Sequence, residues 1–245
     1  DVVLGENEEI NRPDVIIVPS PGPFGLLGLC YAARHNVPLV AGLHTDYDRL
    51  TSLYWNGRWG AWGLFTRDYI RMINTMLVRR SAVVMAANDD LADTAARMGG
   101  DRVERIGSVV PRRYLDRPVI DAGNGLQTIL FAGRLAREKN LSAVIEAARR
   151  LPNLQFRIAG DGPMRREVEH EAGRLPNLAY LGWLARHELM HELDRSDMLV
   201  LPSLLETFGT VALEAAARHC LVLVSPHCGL LDWEEFNGSV LRMRE

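Results

Sequence analysis

Thr128-Ile129-Leu130-Phe131-Ala132-Gly133-Arg134-Leu135-Ala136-Arg137-Glu138-Lys139-Asn140 decides how this chain is read. A strand-length apolar run stops at a glycine and a cation-rich loop follows. Leu141 to Leu151 then places Leu141, Val144, Ile145 and Ala148 on one helical face. Strand, loop and helix in that order make the repeating unit of a parallel α/β sheet. Open sheets of this kind bind ligands at the carboxyl ends of their strands, where this loop begins. Lys139 is the only lysine among 28 basic residues. Arg134 offers a planar fork and Lys139 a compact point charge, two common ways of holding a phosphate.

The same alternation extends in both directions. Further strands are predicted at Val15–Pro19, Leu39–Leu43, Ala82–Ala86, Leu154–Ala159, Ala179–Leu181, Met198–Leu201 and Leu221–Ser225, with helices over Pro163–Arg174 and Glu188–Arg195. Long apolar strands separated by helices imply a doubly wound parallel sheet covered on both faces. Asp116 to Gly125 is rich in breakers and lacks periodicity, so it reads as a linker. The expected organisation is an N-terminal Rossmann-like domain over 1–117, a linker over 118–126 and a C-terminal Rossmann-like domain over 127–245.

Composition narrows the function class. A hydrophobic share of 47% and a net charge of −3 describe an ordinary globular protein and give no sign of a nucleic-acid partner. Cys30, Cys220 and Cys228 are odd in number and scattered, which argues against a disulfide framework and for a reducing, cytoplasmic compartment. No run of eighteen apolar residues and no signal peptide is visible. The opening at Asp1 without methionine and the abrupt Arg242-Met243-Arg244-Glu245 ending lead us to expect that both ends are cut.

Three more loops of the second half point to a ligand. Phe156-Arg157-Ile158-Ala159 runs into Gly160-Asp161-Gly162-Pro163, whose glycines permit a tight turn and whose proline suits a helix start. Leu199-Val200-Leu201-Pro202-Ser203 leads into Leu204-Leu205-Glu206-Thr207-Phe208-Gly209-Thr210-Val211-Ala212-Leu213-Glu214. There two glutamates flank a glycine turn and a helix start whose amides favour an anion. Glu214, further along that helix, can accept hydrogen bonds from ribose hydroxyls. Gly182-Trp183 follows the short strand at Ala179–Leu181.

With these motifs in hand the chain resembles the retaining glycosyltransferases of the GT-B fold, in the large group 1, family 4-like set that carries a Glu-x7-Glu signature. The resemblance runs from about Asp14 to Gly229. GRLAREKN, AGDGP and LPSLLETFGTVALEA stand in the family's order, Pro13 to Gly22 looks like its strand into an interdomain cleft, and His44-Thr45-Asp46-Tyr47 looks like its histidine loop. The resemblance implies two Rossmann-like domains facing a cleft, the N-terminal one incomplete, and metal-independent, retaining transfer of a hexose. No cofactor is expected; a UDP- or GDP-sugar is the implied donor substrate.

Residue roles follow from the same likeness. Arg134 and Lys139 would grip the donor diphosphate. Glu206, with the backbone of Phe208 and Gly209, would hold the donor sugar, and His44 would contact that sugar from the N-terminal side. Glu214 would take the ribose, Gly160, Asp161, Gly162 and Trp183 would edge the base, and Gly133, Thr207 and Thr210 complete the donor-binding set. The chain departs from the family at Ala217-Arg218-His219-Cys220, where a small-glycine-x-proline turn is usual. The family's first strand and glycine-rich loop fall before Asp1, and its final helices after Glu245. A non-catalytic or truncated relative that binds a nucleotide or a partner is therefore one alternative, and a sugar epimerase of the same architecture another.

Two other signals compete. His187-Glu188-Leu189-Met190-His191 matches the HExxH zinc pattern, but its polar neighbours and the lack of a third ligand at short spacing favour a plain surface helix. His219-Cys220 and His227-Cys228 have no recognised zinc spacing. Between Arg49 and Arg80, six arginines and the single acidic residue Asp68 are interleaved with Tyr54, Trp55, Trp59, Trp62, Phe65 and Tyr69. That mixture suits a membrane interface, an acceptor groove or packed helices with snorkelling arginines. The first of these implies a glycolipid acceptor and peripheral contact with the inner membrane face.

Overall fold

The computed structural model describes residues 13–55, 60–115, 125–236 and 238–244. Two compact units emerge, one of residues 1–47 with 60–106 and the other of 48–59 with 107–245.

The first unit is a four-stranded parallel sheet of β1 (Ile16–Val18), β2 (Leu39–Leu43), β3 (Val83–Ala86) and β4 (Val103–Arg105), hydrogen-bonded in that order. Helices α1 (Pro23–His35), α3 (Gly60–Arg80) and α4 (Asp89–Arg97) serve this sheet, and α2 (Tyr47–Trp55) leads out of it. α4 starts where the Asn88 side chain accepts the Leu91 amide at 2.9 Å, and Asp89 and Asp90 favour the positive end of the helix dipole. α3 joins two apolar clusters: Ile73 and Leu77 pack with Leu29, Leu39 and Ala41, while Val78 packs with Val84, Ala86 and Leu91.

The second unit carries a six-stranded, fully parallel sheet. Its strands are β5 (Thr128–Ala132), β6 (Gln155–Ala159), β7 (Leu178–Gly182), β8 (Met198–Leu201), β9 (Leu221–Val224) and β10 (Val240–Arg242). Helices α5 (Leu141–Arg150), α6 (Arg165–Ala172), α7 (Arg186–Asp194) and α8 (Thr210–Ala217) connect them. The order is β10-β9-β8-β5-β6-β7. Leu130, Phe131, Ile158, Leu199 and Val222 are fully buried, as strands covered on both faces require.

The units part between Ile106 and Gly107, earlier than the boundary expected at Arg117. The reason is packing: a Cβ at Gly107 would lie 3.2 Å from the Phe208 ring and 3.3 Å from Trp233, and Tyr114 is wholly buried in the second core. Residues 118–124 of the expected linker lie outside the described residues, as do Arg58 and Trp59; nothing of the Trp55, Trp62 and Phe65 side chains is described either. Among the described residues, no helix is long and apolar enough to cross a membrane.

The turn that departs from the family pattern has a defined geometry. His219 adopts φ 57°, its amide donates to Ala216 O at 3.0 Å, and the Cys220 amide donates to Ala215 O at 3.1 Å. This is a Schellman closure of α8, with histidine in the left-handed position that glycine usually takes. Arg218, just before it, is buried; its Nε donates to Asp194 at 2.6 Å and its Nη1 to the Tyr114 carbonyl at 3.1 Å.

Candidate functional site

The order of the second sheet creates a crevice. From β5 the chain runs outward to β6 and β7, then returns to β8 on the other side of β5 and continues to β9 and β10. The loops leaving β5 and β8 therefore diverge from neighbouring strands, which is the switch point where open α/β sheets take their ligands.

Both loops are fixed to each other by backbone. The Leu204 amide donates to the Glu138 carbonyl at 2.8 Å, and Asn140 Nδ2 donates to the Pro202 carbonyl at 3.1 Å. Across this seam Lys139 Nζ lies 2.5 Å from Glu206 Oε2, with the two side chains only 19% and 13% exposed. The Ser203 hydroxyl approaches the same carboxylate oxygen at 3.4 Å. Glu206 is held from behind, its amide donating to His227 O at 3.3 Å and its carbonyl accepting the Gly229 amide at 2.9 Å.

Arg134 hangs at the mouth of the β5 loop. Its Nε donates to Glu138 Oε1 at 3.1 Å and its Nη2 donates to the same oxygen. The other Glu138 oxygen accepts the Tyr54 hydroxyl, contributed by α2. Glu138 is 4% exposed. Burial pushes its carboxyl up, but the bonds from Tyr54 and Arg134 outweigh that and hold it below the usual carboxylate range. The hydrogen bond to Glu138 in turn pushes the Arg134 guanidinium further above its ordinary range.

Glycines shape the floor. Gly160 stands at φ 137°, and a Cβ there would fall 1.9 Å from the Gly133 carbonyl oxygen; at Gly162 it would fall 2.5 Å from that of Leu135. This close approach is locked by the Leu135 amide on Asp161 O at 2.9 Å and the Met164 amide on Leu135 O at 2.9 Å. The Asp161 carboxylate accepts the Gly162 amide at 2.8 Å. Beside these turns opens a cavity of about 360 Å³ lined by Gly133, Arg134, Gly160, Asp161, Trp183 and Leu184, with Trp183 72% exposed.

The second glutamate lies on α8. Gly209 caps that helix at φ 88°, in a place where a Cβ would come 2.9 Å from Cys228 Sγ. Thr210 Oγ1 donates to Ser108 Oγ at 3.2 Å. The first N–H groups of the helix point toward the crevice end of β8, as helix geometry dictates. The Phe208 side chain is buried edge-to-face on Trp233, centroids 6.0 Å apart, so only its backbone is available to a ligand. Glu214 is half-buried, and burial pushes its carboxyl up, with Tyr114, Arg186 and Arg113 opposing. The Tyr114 hydroxyl faces it without a well-formed hydrogen bond.

Lys139 and Glu206 are thus brought together beside the Gly209 turn, while Arg134 lines the cavity with Gly160 and Asp161. His44 belongs to the first unit, exposed at the carboxyl end of β2 with its ring over Gly42, where a Cβ would lie 2.6 Å from Nε2. The HExxH helix is spent on other work: Glu188 accepts the Ala185 amide at 2.6 Å and Met190 is buried. Among the described residues, no three His, Cys, Asp or Glu side chains group as metal ligands. Glu138 was not singled out from sequence, since a glutamate between two cations reads as a solvated surface charge, and Tyr54 was read only as one ring of the arginine-rich aromatic segment.

Comparison with known proteins gives the fold a family. The family described as Glycosyl transferases group 1 matches residues 115–237, and that described as Glycosyltransferase Family 4 matches residues 4–111. A glycogen synthase of Mycobacterium tuberculosis is 30% identical over 251 residues, which cover 93% of this chain and 55% of the synthase. A 2-deoxystreptamine N-acetyl-D-glucosaminyltransferase of Niallia circulans is 26% identical, over 92% of this chain and 62% of the transferase. The chain spans little more than half the length of these relatives. Among solved structures, Anabaena Alr3699/HepE in complex with UDP and glucose superposes with a TM-score of 0.72 at 17% identity, over 94% of this chain and 64% of that one. WaaG, a glycosyltransferase involved in lipopolysaccharide biosynthesis, superposes with a TM-score of 0.68 at 16% identity, over 98% and 75%. The fold is that of these neighbours, two Rossmann-like parallel-sheet units of the GT-B type. With both halves matched, the chain belongs to the group 1 glycosyl transferases.

Proposed function

We propose that the protein transfers a sugar from a nucleoside diphosphate donor to an acceptor hydroxyl, without a metal and with retention of configuration. The observation that supports this most is the Lys139–Glu206 pair spanning the β5/β8 switch point, with Arg134 on the same β5 loop. As a glycosidic bond to a diphosphate breaks, negative charge grows on the phosphate while the sugar acquires oxocarbenium character. Fixed cations aimed at that charge lower the barrier by several kcal/mol, in the manner of oxyanion-hole donors. In this reading Arg134 and Lys139 receive the diphosphate, Glu206 accepts from sugar hydroxyls, and Glu214 accepts from the ribose. The base enters the cavity against Trp183.

Thermal shift with UDP, GDP and ADP tests the donor site. A bound nucleotide at a hundredfold its dissociation constant adds about 2.7 kcal/mol to apparent stability. One of the three is expected to raise Tm, and donor turnover is expected to vanish in Lys139→Ala and Glu206→Ala. Proton NMR of the first-formed glycoside reports the anomeric configuration. No shift with any nucleotide would overturn the proposal.

A glycolipid acceptor and peripheral membrane contact are proposed on narrower support. Tyr69, Met72 and Met76 are exposed along one stripe of α3, in the arginine-rich segment. Co-sedimentation with anionic vesicles in preference to neutral ones is the expected outcome; equal partition would count against it.

A further inference from the structure

A carboxylate buried on a phosphate-binding loop is costly unless every oxygen finds a donor, and an apolar residue of similar volume is often at least as stable there. Glu138 nevertheless turns inward from a single 3-10 turn, Arg137–Lys139, with its side chain 5% exposed. Its two oxygens are divided between Arg134 and Tyr54. The backbone that carries it is bonded to the β8 loop, whose Glu206 holds Lys139.

Arg134 is the exposed partner in this cluster. Its side chain is 57% exposed and lines the cavity beside Gly133 and Gly160. Left alone, a long exposed guanidinium samples many rotamers, and a ligand must immobilise it on binding. Glu138 takes two of its five N–H groups, those on Nε and Nη2, and leaves the others to meet an anion.

We propose that Glu138, braced by the Tyr54 hydroxyl, is a positioning residue that presets the Arg134 guanidinium for the donor diphosphate. The inference rests on the donor-site reading above. It assigns Glu138 an effect on ligand binding that passes through Arg134 alone, which a merely structural carboxylate would not have.

A double-mutant cycle reads that dependence. Titration calorimetry with whichever of UDP, GDP or ADP binds the wild type is run on Glu138→Gln, Arg134→Ala and the double variant. Glu138→Gln is expected to raise Kd about tenfold, the scale of one hydrogen bond to a charged group. In the Arg134→Ala background the same change is expected to shift Kd by less than about twofold, the signature of coupled rather than independent sites. Tyr54→Phe, which keeps Glu138 and removes one donor to it, is expected to raise Kd about threefold by the same route. It carries the test if Glu138→Gln does not fold. Equal effects in both backgrounds, or an unchanged or tighter Kd in the single variants, overturn the positioning role while leaving the donor site standing. Failure of all three nucleotides to bind the wild type overturns the donor site and this inference with it.

Discussion

Lys139 and Glu206 are separated by 67 residues of chain, yet their charged groups meet at 2.5 Å where the β5 and β8 loops converge. The pair does two things at once. It neutralises an ammonium in a partly buried crevice, and it sets a carboxylate in competition with any phosphate for that ammonium. The two residues should therefore respond differently to mutation. Lys139→Ala is expected to weaken nucleoside diphosphate binding by about tenfold or more. Glu206→Gln is expected to leave free diphosphate binding unchanged or tighter, while lowering turnover by about a hundredfold. Calorimetry and steady-state kinetics on the same preparations check both. Equal weakening of diphosphate binding in the two variants would contradict the competition.

Gly160 has no room for a side chain. A Cβ there meets the Gly133 carbonyl oxygen at 1.9 Å, and φ 137° is unfavourable for any other residue. Gly160→Ala is expected to cost about 3 kcal/mol of stability, from backbone displacement and strain combined. Urea denaturation measures it. A loss within experimental error of zero would show that the two loops are not in register as described.

His219 closes α8 from the left-handed region at φ 57°, with its side chain in solvent. Histidine pays there for a conformation that glycine adopts freely. His219→Gly is therefore expected to raise stability by up to about 1 kcal/mol, less whatever glycine loses through its freer unfolded chain. Thermal or urea unfolding checks the sign.

Burial pushes the thiols of Cys220 and Cys228 up to about 12, from about 9 in the open chain. Between those values the unfolded chain has released protons that the folded chain retains, so stability must fall as pH rises through that window. Below about pH 9 both states keep the thiols protonated, and the two contribute no slope. Alkylation at pH 8 is expected to modify the exposed Cys30 and spare the other two until denaturant is added. Rapid native labelling of all three would refute their burial.

Much of the fold could be read directly. Thr128–Ala132, Met198–Leu201 and Leu39–Leu43 are continuous or nearly continuous apolar runs ended by glycine, proline or histidine, and each is a strand with those bounds. Val103–Arg105 and Val240–Arg242 escaped notice because each is three residues long and ends on a charge, whereas the equally short β1 sits in an unbroken apolar run. Lys139 and Glu206 stood out through loop position, and their meeting follows from the switch point. Glu138 did not stand out, being a charge amid charges in sequence, and Arg218 was noted only as part of an unusual turn. Only the folded chain reveals that one is buried against Arg134 and Tyr54 and the other against Asp194.

The strand order has a bearing on synthesis as well as on binding. β8 slots in beside β5 only after the β6 and β7 excursions have been laid down, so a nascent polypeptide halted before Glu206 holds the Lys139 ammonium without its counter-charge.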